Sequence, residues 1–300
     1  MSEFEKGIVV ATRGRLFEVS ARGARFKCEV RQKVRDEIKD VTPVAVGDDV
    51  MFARSHDGSG VIEQVLERRT AFFRPEVRQF SVKQVIAANL DKLAIVGSIK
   101  KPVLKTGLID RFLISAQMGN MTPIIIINKI DFPRPKELDE TVRVYKKLGY
   151  ETYLTSCESG EGIAELAQTL INYRILLVGH SGVGKTTIIN KLIPGLELKT
   201  REVSEATHRG THTTTNIELY EIPSGGFLAD SPGLKVMGLW EVEKEQLPSF
   251  YPEFERILGT CKFRGCSHTH EPGCAVKSAL QKGEIAQFRY DNYVAIADSL

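Results

Sequence analysis

The 300-residue chain has no apolar run near the roughly 20 residues that cross a bilayer, which removes membrane-spanning helices from consideration. Its start, MSEFEKGIVV, lacks the charged-then-apolar layout of a secretory leader, so the expectation is a cytoplasmic protein without a membrane partner. A strong charge bias is also missing. There are 41 Lys and Arg against 38 Asp and Glu, and a net +3 is too small to name a polyanionic partner. Repeats and low-complexity linkers are absent, which excludes solenoids and tethered arrays. Cysteine is scarce: there are five, an odd number, and three crowd into residues 261–274. In a reducing compartment such a cluster suggests a metal rather than disulfides. Cys28, within ARFKCEV, reads as a small buried apolar residue.

What is present is 42% hydrophobic residues, enough for a real core, and a length that suits two or three domains. Residues 7–68 read as five short strands, GIVVAT, RLFEVS, ARFKCEV, DVMFAR and GVIEQVL, with no helical period. That pattern predicts a small β-barrel, the five-stranded oligonucleotide-binding (OB) fold ahead of an SH3-like barrel. Residues 1–35 hold nine Lys and Arg against four Asp and Glu, which taken alone describes a solvated face. From about residue 75, apolar strands at 92–97, 123–127, 152–155, 174–178, 216–222 and 227–229 alternate with helical patterns. The helices fall at 108–118, 136–148, 162–172 and 185–193, and in the first Leu108, Ile109, Phe112 and Leu113 share one face. Such alternation predicts a mostly parallel sheet covered on both sides. Residues 240–300 read as helices around the Cys/His cluster, with little apolar core of their own. The expected domains are a barrel at 1–72, an α/β P-loop domain at 73–236 and a mainly helical, metal-binding domain at 237–300.

The α/β region carries a nucleotide signature. Gly179, His180, Ser181, Gly182, Val183, Gly184, Lys185, Thr186 and Thr187 follow the strand RILLV and open the helix KTTIINKL. That is the context a phosphate-binding loop requires. Its glycines turn backbone amides toward phosphates, and the helix N-terminus adds favourable partial charge. Lys185 is expected to reach the β and γ phosphates, and the Thr186 hydroxyl to hold Mg²⁺. This loop does not choose between ATP and GTP. IIIINKIDF at 124–132 does, because it presents Asn128, Lys129, Ile130 and Asp131 after an apolar strand. Asp131 would accept hydrogen bonds from the guanine ring N–H and exocyclic amine, and sites built on paired polar groups reject analogues strongly. Ser156 and Cys157, in YLTSCESGEG, fit a backbone loop against the base. FLADSPG supplies Asp230, to hold Mg²⁺ through water, and Gly233, to sense the γ-phosphate. Within GTHTTTN at 210–216, either Thr213 or Thr214 is expected to close on Mg²⁺ when GTP binds.

The order of these elements is unusual. Base reader, serine loop, phosphate loop, switch threonine and Asp-x-x-Gly follow one another, whereas ordinary GTPases begin with the phosphate loop. Rotating the list restores the ordinary order. That predicts a circular permutation, with the old termini joined near residue 173 and new ends opened after Gly233. A packed sheet survives this because termini usually lie close together at the surface. The segment after Gly233 then leads straight into the C-terminal domain, which hands the switch a lever.

The stretch CKFRGCSHTHEPGC arranges Cys261, Cys266, His268 and Cys274 as a closed tetrahedral set for a structural Zn²⁺, with His270 competing as the fourth ligand. The H-x-E with P-C-x-x-C layout of zinc deaminases is absent. Barrel, permuted core and trailing cluster together resemble the circularly permuted, ribosome small-subunit-dependent GTPases of the RsgA/YjeQ type, over essentially the whole chain. The resemblance implies an OB barrel facing rRNA, GTP/GDP with Mg²⁺, and one structural Zn²⁺ held by His268 rather than His270. It also implies a monomer that assists late maturation of the small ribosomal subunit and whose GTP hydrolysis that subunit stimulates. On this reading the basic segment 1–35 faces RNA phosphates. Thr186 and Thr187 stand where the family often has two serines, which preserves the hydroxyl. Leu234 stands where many GTPases place a glutamine that orients the attacking water, so intrinsic turnover should be slow. His212, beside the switch threonines, is the expected substitute, because a neutral imidazole accepts a hydrogen bond from water. Two other readings compete. One is an RNA-binding switch that holds GTP with little turnover; the other is a P-loop kinase, which would leave NKID and DSPG without purpose.

Overall fold

The structure, a computed structural model, describes residues 4–37, 42–55, 57–75, 83–199, 217–231 and 242–300. At the N-terminus β1 (Phe4–Arg13), β2 (Leu16–Ala21), β3 (Ala24–Val30), β4 (Asp49–Arg54) and β5 (Gly60–Val65) close into a barrel of order β1-β2-β3-β5-β4. β1 returns to β4 and β3 runs parallel to β5, which is the Greek-key closure of an OB barrel rather than an SH3-like one. Alternate residues point inward, so Val9, Val19, Cys28, Val50, Phe52 and Ile62 fill the barrel. Burial pushes the Cys28 thiol up to about 11, consistent with a packing role. A short helix, α1 (Gln32–Glu37), leads out of β3 and has no clear sequence signal.

A separate antiparallel ribbon of β6 (Ala71–Pro75) and β7 (Lys83–Ala88) was not legible in the sequence either. Its strands sit where the pattern changes, and KQVIAA has no period-2 alternation to read. A parallel bridge between Val46 and Ala87 ties the ribbon to the barrel.

The central sheet has six strands: β8 (Lys92–Ser98), β9 (Thr122–Asn128), β10 (Glu151–Leu154), β11 (Arg174–Val178), β12 (Leu219–Glu221) and β13 (Phe227–Asp230). Their order is β10-β9-β8-β11-β13-β12, and every neighbouring pair is parallel except β12 with β13. Counted from β11 as the first strand, that order reads 6-5-4-1-3-2. β11 and β8 therefore flank the point where the chain changes sides, the place where open α/β sheets bind ligands beyond the carboxyl ends of their strands. Helices α2 (Thr106–Met118), α3 (Leu138–Lys147), α4 (Ile163–Thr169) and α5 (Lys185–Leu192) cover the two faces. Along β8, Leu93 and Ile95 pack with Phe112, Leu113 and Tyr145, while Ala94 and Val96 pack with Leu166, Ile188 and Ile189. Burial on both faces explains why β8 and β9 read as continuous apolar runs. A four-residue link, 170–173, joins α4 to β11, which is where the sequence placed the rejoined termini.

The C-terminal segment is less helical than its pattern suggested. Among its described residues only a 3-10 turn at Leu247–Phe250, α6 (Ala275–Gln281) and α7 (Gln287–Ala297) are helical. The Cys/His stretch between them must reverse direction repeatedly, and it does so at Gly265 and Gly273, both with positive φ. Nor does the segment lack a core. Leu247, Tyr251, Phe254, Val276, Tyr293 and Ile296 are buried together with Ile114 of α2. Aromatic residues spread over turns carry no period, so this core was invisible in the sequence. At the same seam Arg289, 1% exposed, forks onto Glu253 at 2.7 and 3.1 Å and meets Asp110 of α2. Asp110 also accepts from Tyr145 at 2.8 Å and from Asn292 at 2.7 Å. No helix among the described residues is long and apolar enough to cross a membrane.

Candidate functional site

The loop 179–184 leaves β11 and enters α5 at the carboxyl edge of the sheet. Gly179, Gly182 and Gly184 all have positive φ, which lets successive amides point into one concavity. Two of these glycines are also sterically required. A Cβ on Gly179 would overlap the Val96 carbonyl oxygen, and one on Gly184 would overlap the Asn128 amide nitrogen. Lys185 is buried and folds back onto the carbonyls of Gly179 and His180, at 3.0 and 3.2 Å. Its burial lowers its pKa from the usual lysine value, with Asp230 pulling the other way. His180 and Ser181 are exposed at the loop's tip, and Thr187 is half-buried on α5.

Asn128, at the end of β9, is the hinge between loops. Its amide donates to the Val183 carbonyl at 3.0 Å, and its carbonyl oxygen accepts from Thr155 at 3.2 Å. Lys129 stands in the left-handed region and donates to the carbonyls of Gly182 and Lys101 at 2.6 and 2.5 Å. Ile130 is buried beneath. Asp131 remains exposed, with one carboxylate oxygen fixed by the Ser156 hydroxyl at 2.6 Å. Ser156 in turn accepts from the amides of Glu158 and Ser159, at 3.2 and 3.1 Å, so the serine loop aims the aspartate. Burial pushes the Cys157 thiol up, which leaves it a packing residue rather than a reactive one. Thr155 and the Lys101 carbonyl belong to this arrangement but have no motif to mark them.

Across the loop, the Thr186 hydroxyl donates to Asp230 Oδ2 at 2.6 Å, while the buried Asp230 Oδ1 has no protein partner. A hydroxyl and a carboxylate with an unmatched buried oxygen suit a hard divalent cation such as Mg²⁺. His212, Thr213, Thr214, Gly233 and Leu234 lie outside the described residues. A mainly apolar cleft opens beside the phosphate loop, lined by Val103, Leu104, Leu108, Phe112 and Val183 among others. Its lining is mainly apolar, and the nucleotide signature does not rest on it.

In the C-terminal segment, ligand atoms of Cys261, Cys266, His268 and Cys274 all lie within 4.8 Å of one another. The His268 ring nitrogen is 3.5 Å from the Cys261 sulfur and 3.4 Å from that of Cys274. His268 is 4% exposed, whereas the His270 side chain is 84% exposed and outside the cluster. Three thiols and one imidazole at this spacing are compatible with a tetrahedral zinc site. Tyr290 and Tyr293 of α7 brace the loop by donating to the carbonyls of His268 and Ser267, at 2.9 and 2.7 Å.

The same combination recurs in known proteins. A family model described as RsgA GTPase matches residues 65–240. A Haemophilus influenzae protein named small ribosomal subunit biogenesis GTPase RsgA is 35% identical over 308 residues, covering all of this chain and 86% of its own. A protein of the same name from Mannheimia succiniciproducens is 36% identical over 307 residues, covering 100% of this chain and 84% of its own. Among solved structures, YjeQ from Thermotoga maritima superposes with a TM-score of 0.79 at 32% identity, over 99% of both chains. YloQ, described as a circularly permuted GTPase, gives 0.74 at 29% identity over 99% of this chain and 94% of its own. With a permuted sheet, a phosphate loop beside an NKxD strand and a trailing Cys₃His cluster, the chain belongs to the RsgA GTPase family of GTP-hydrolysing enzymes.

Proposed function

We propose that this GTPase binds the small ribosomal subunit and assists its late maturation, hydrolysing GTP to GDP and phosphate with stimulation by the subunit. Its relatives carry that subunit in their names, and the likeness runs the length of the chain. The observation that carries the nucleotide assignment is the Asn128 hinge, whose two hydrogen bonds hold base reader, serine loop and phosphate loop in one site. Amides of the loop from Gly179 to Gly184, with Ser181, Thr187 and the helix terminus, would hold the phosphates. Lys185 would exchange the carbonyls of Gly179 and His180 for the β and γ phosphates. Thr186 and Asp230, joined by Thr213 or Thr214, would hold Mg²⁺, which when bound neutralises charge on the phosphates. Asp131 reads guanine, Ser156 and Cys157 back the base, and Gly233 senses the γ-phosphate.

Leu234 cannot orient water, so His212 is assigned that task. Cys261, Cys266, His268 and Cys274 would hold one structural Zn²⁺. The barrel, 1–72, would face rRNA, with 73–236 as the GTPase unit, 237–300 as the zinc unit and the whole acting as a cytoplasmic monomer. The test is GTP turnover with and without purified small subunits. Strong stimulation supports the proposal. Tight GTP binding with unstimulated, negligible turnover would favour the second reading, an RNA-binding switch, to which Leu234 lends weight.

A further inference from the structure

The barrel touches the GTPase sheet through two arginines on one carboxylate. Arg13, ending β1, donates to Glu218 Oε2 at 2.6 Å, and Arg25, near the start of β3, donates to Oε1 at 3.0 Å. Arg25 also reaches the Leu219 carbonyl at 3.5 Å, and Glu18 sits 3.3 and 3.4 Å from the two arginines. Ala11 and Glu218 form an antiparallel bridge, so backbone meets backbone here too. Glu218 precedes β12 directly and lies four residues beyond Thr214. β12 pairs with β13, the strand that ends in Asp230.

We propose that Arg13 and Arg25 form a phosphate site on the barrel that Glu218 occupies in place of RNA. RNA on the barrel and docking of β12 then exclude one another at this site. The inference rests on the RNA-binding reading of the barrel. The position fits, because oligonucleotides bind OB barrels on the face of the second and third strands and at the loop between the first two. Arg13 borders that loop, whose Gly14 and Arg15 are exposed, and Arg25 lies on the third strand opposite Ser20 of the second. The chemistry fits, because guanidinium forks recognise carboxylate and phosphate with the same geometry.

The strength fits as well. Arg13 and Arg25 keep 46% and 45% of their side-chain surface exposed, against 16% for Glu218. Such half-open pairs are individually weak, and a polyanion that releases counterions on binding can displace them. The buried Arg289 clasp could not be exchanged in this way. Coupling is reciprocal: a switch state that draws Glu218 away raises RNA affinity, and RNA raises the population of that state by the same factor.

The test uses the full chain with GDP bound and a fluorescent single-stranded oligoribonucleotide of mixed sequence, titrated at several salt concentrations. Glu218→Gln keeps the side-chain shape and removes the charge. It should bind about 2- to 30-fold more tightly than the parent, the equivalent of two exposed ion pairs. Its salt dependence should steepen by about 0.7 per freed arginine. Glu221→Gln, at an exposed position of the same strand, controls for loss of a charge in the region. In a chain carrying Arg13→Gln and Arg25→Gln, adding Glu218→Gln should change nothing. A gain for Glu218→Gln no larger than that for Glu221→Gln would overturn the latch and leave the RNA reading intact. Absence of oligonucleotide binding by parent and variants alike would overturn both.

Discussion

At the scale of single residues, specificity and catalysis make separable demands. Asp131 is held by Ser156 so that its carboxylate meets solvent as an oriented acceptor. Losing the hydrogen bonds of a charged acceptor is costly, so Asp131→Asn should weaken GTP binding by about 100-fold or more. Xanthine nucleotides, which carry an oxygen where guanine carries its amine, should recover much of that loss. Parallel GTP and XTP titrations measure it, and unchanged GTP affinity would take Asp131 out of the base site. His212 makes a different demand. His212→Ala should bind GTP as the parent does yet lose most subunit-stimulated turnover, since general acid–base positioning contributes typically about 10²–10⁴-fold. Stimulated turnover equal to the parent's would mean that the water is oriented by another group.

At the scale of elements, the Cys/His loop and α7 support each other. The loop is fixed by its four clustered side chains and also by Tyr290 and Tyr293, while α7 is held outside the loop as well, by Arg289 on Asp110 and Glu253 and by Ile296 in a core shared with Ile114 of α2. Removing Zn²⁺ should therefore loosen 261–274 and lower the melting temperature without unfolding α7. Cys266→Ala should do the same and lose zinc. Metal analysis, a thermal melt and hydrogen exchange together check this. Stoichiometric zinc with an unchanged melt in Cys266→Ala would refute the site. The sequence by itself predicts that loss of zinc loosens all of 240–300, because the aromatic core carries no period and is not legible there.

At the scale of the whole molecule, the C-terminal segment is clasped to the GTPase core by buried charge. Arg289 neutralises Asp110 and Glu253 together, and all three are nearly inaccessible. Breaking a buried pair by removing one partner costs about 3–5 kcal/mol, so Arg289→Ala should destabilise the chain by that order, leaving two buried carboxylates without their shared cation. Urea denaturation of parent and variant measures the difference, and a loss below about 1 kcal/mol would mean the clasp is dispensable. The clasp is anchored on α2, whose preceding loop gives the Lys101 carbonyl to Lys129. The base reader and the C-terminal segment thus share one rigid support.

Sequence alone determined the chemistry that is local along the chain. A phosphate loop, an NKxD turn and a Cys/His knuckle are each set by backbone conformation over a few residues, so glycines and ligand spacing announce them. Permutation was legible for the same reason, since it reorders local signals without altering any of them. Even the buried strands could be read, because two-sided burial demands continuous apolar runs. Tertiary structure decided which atoms meet. Asn128 finds Val183 across 55 residues, Thr186 finds Asp230 across 44, and Arg289 finds Asp110 across 179. It also separated His268, buried among the thiols, from the exposed His270 two positions on. The residues alone left that choice open. No periodicity encodes such pairings, because they depend on how a closed barrel, a twisted sheet and a knuckle stack against one another, and one register or packing shift would exchange every partner.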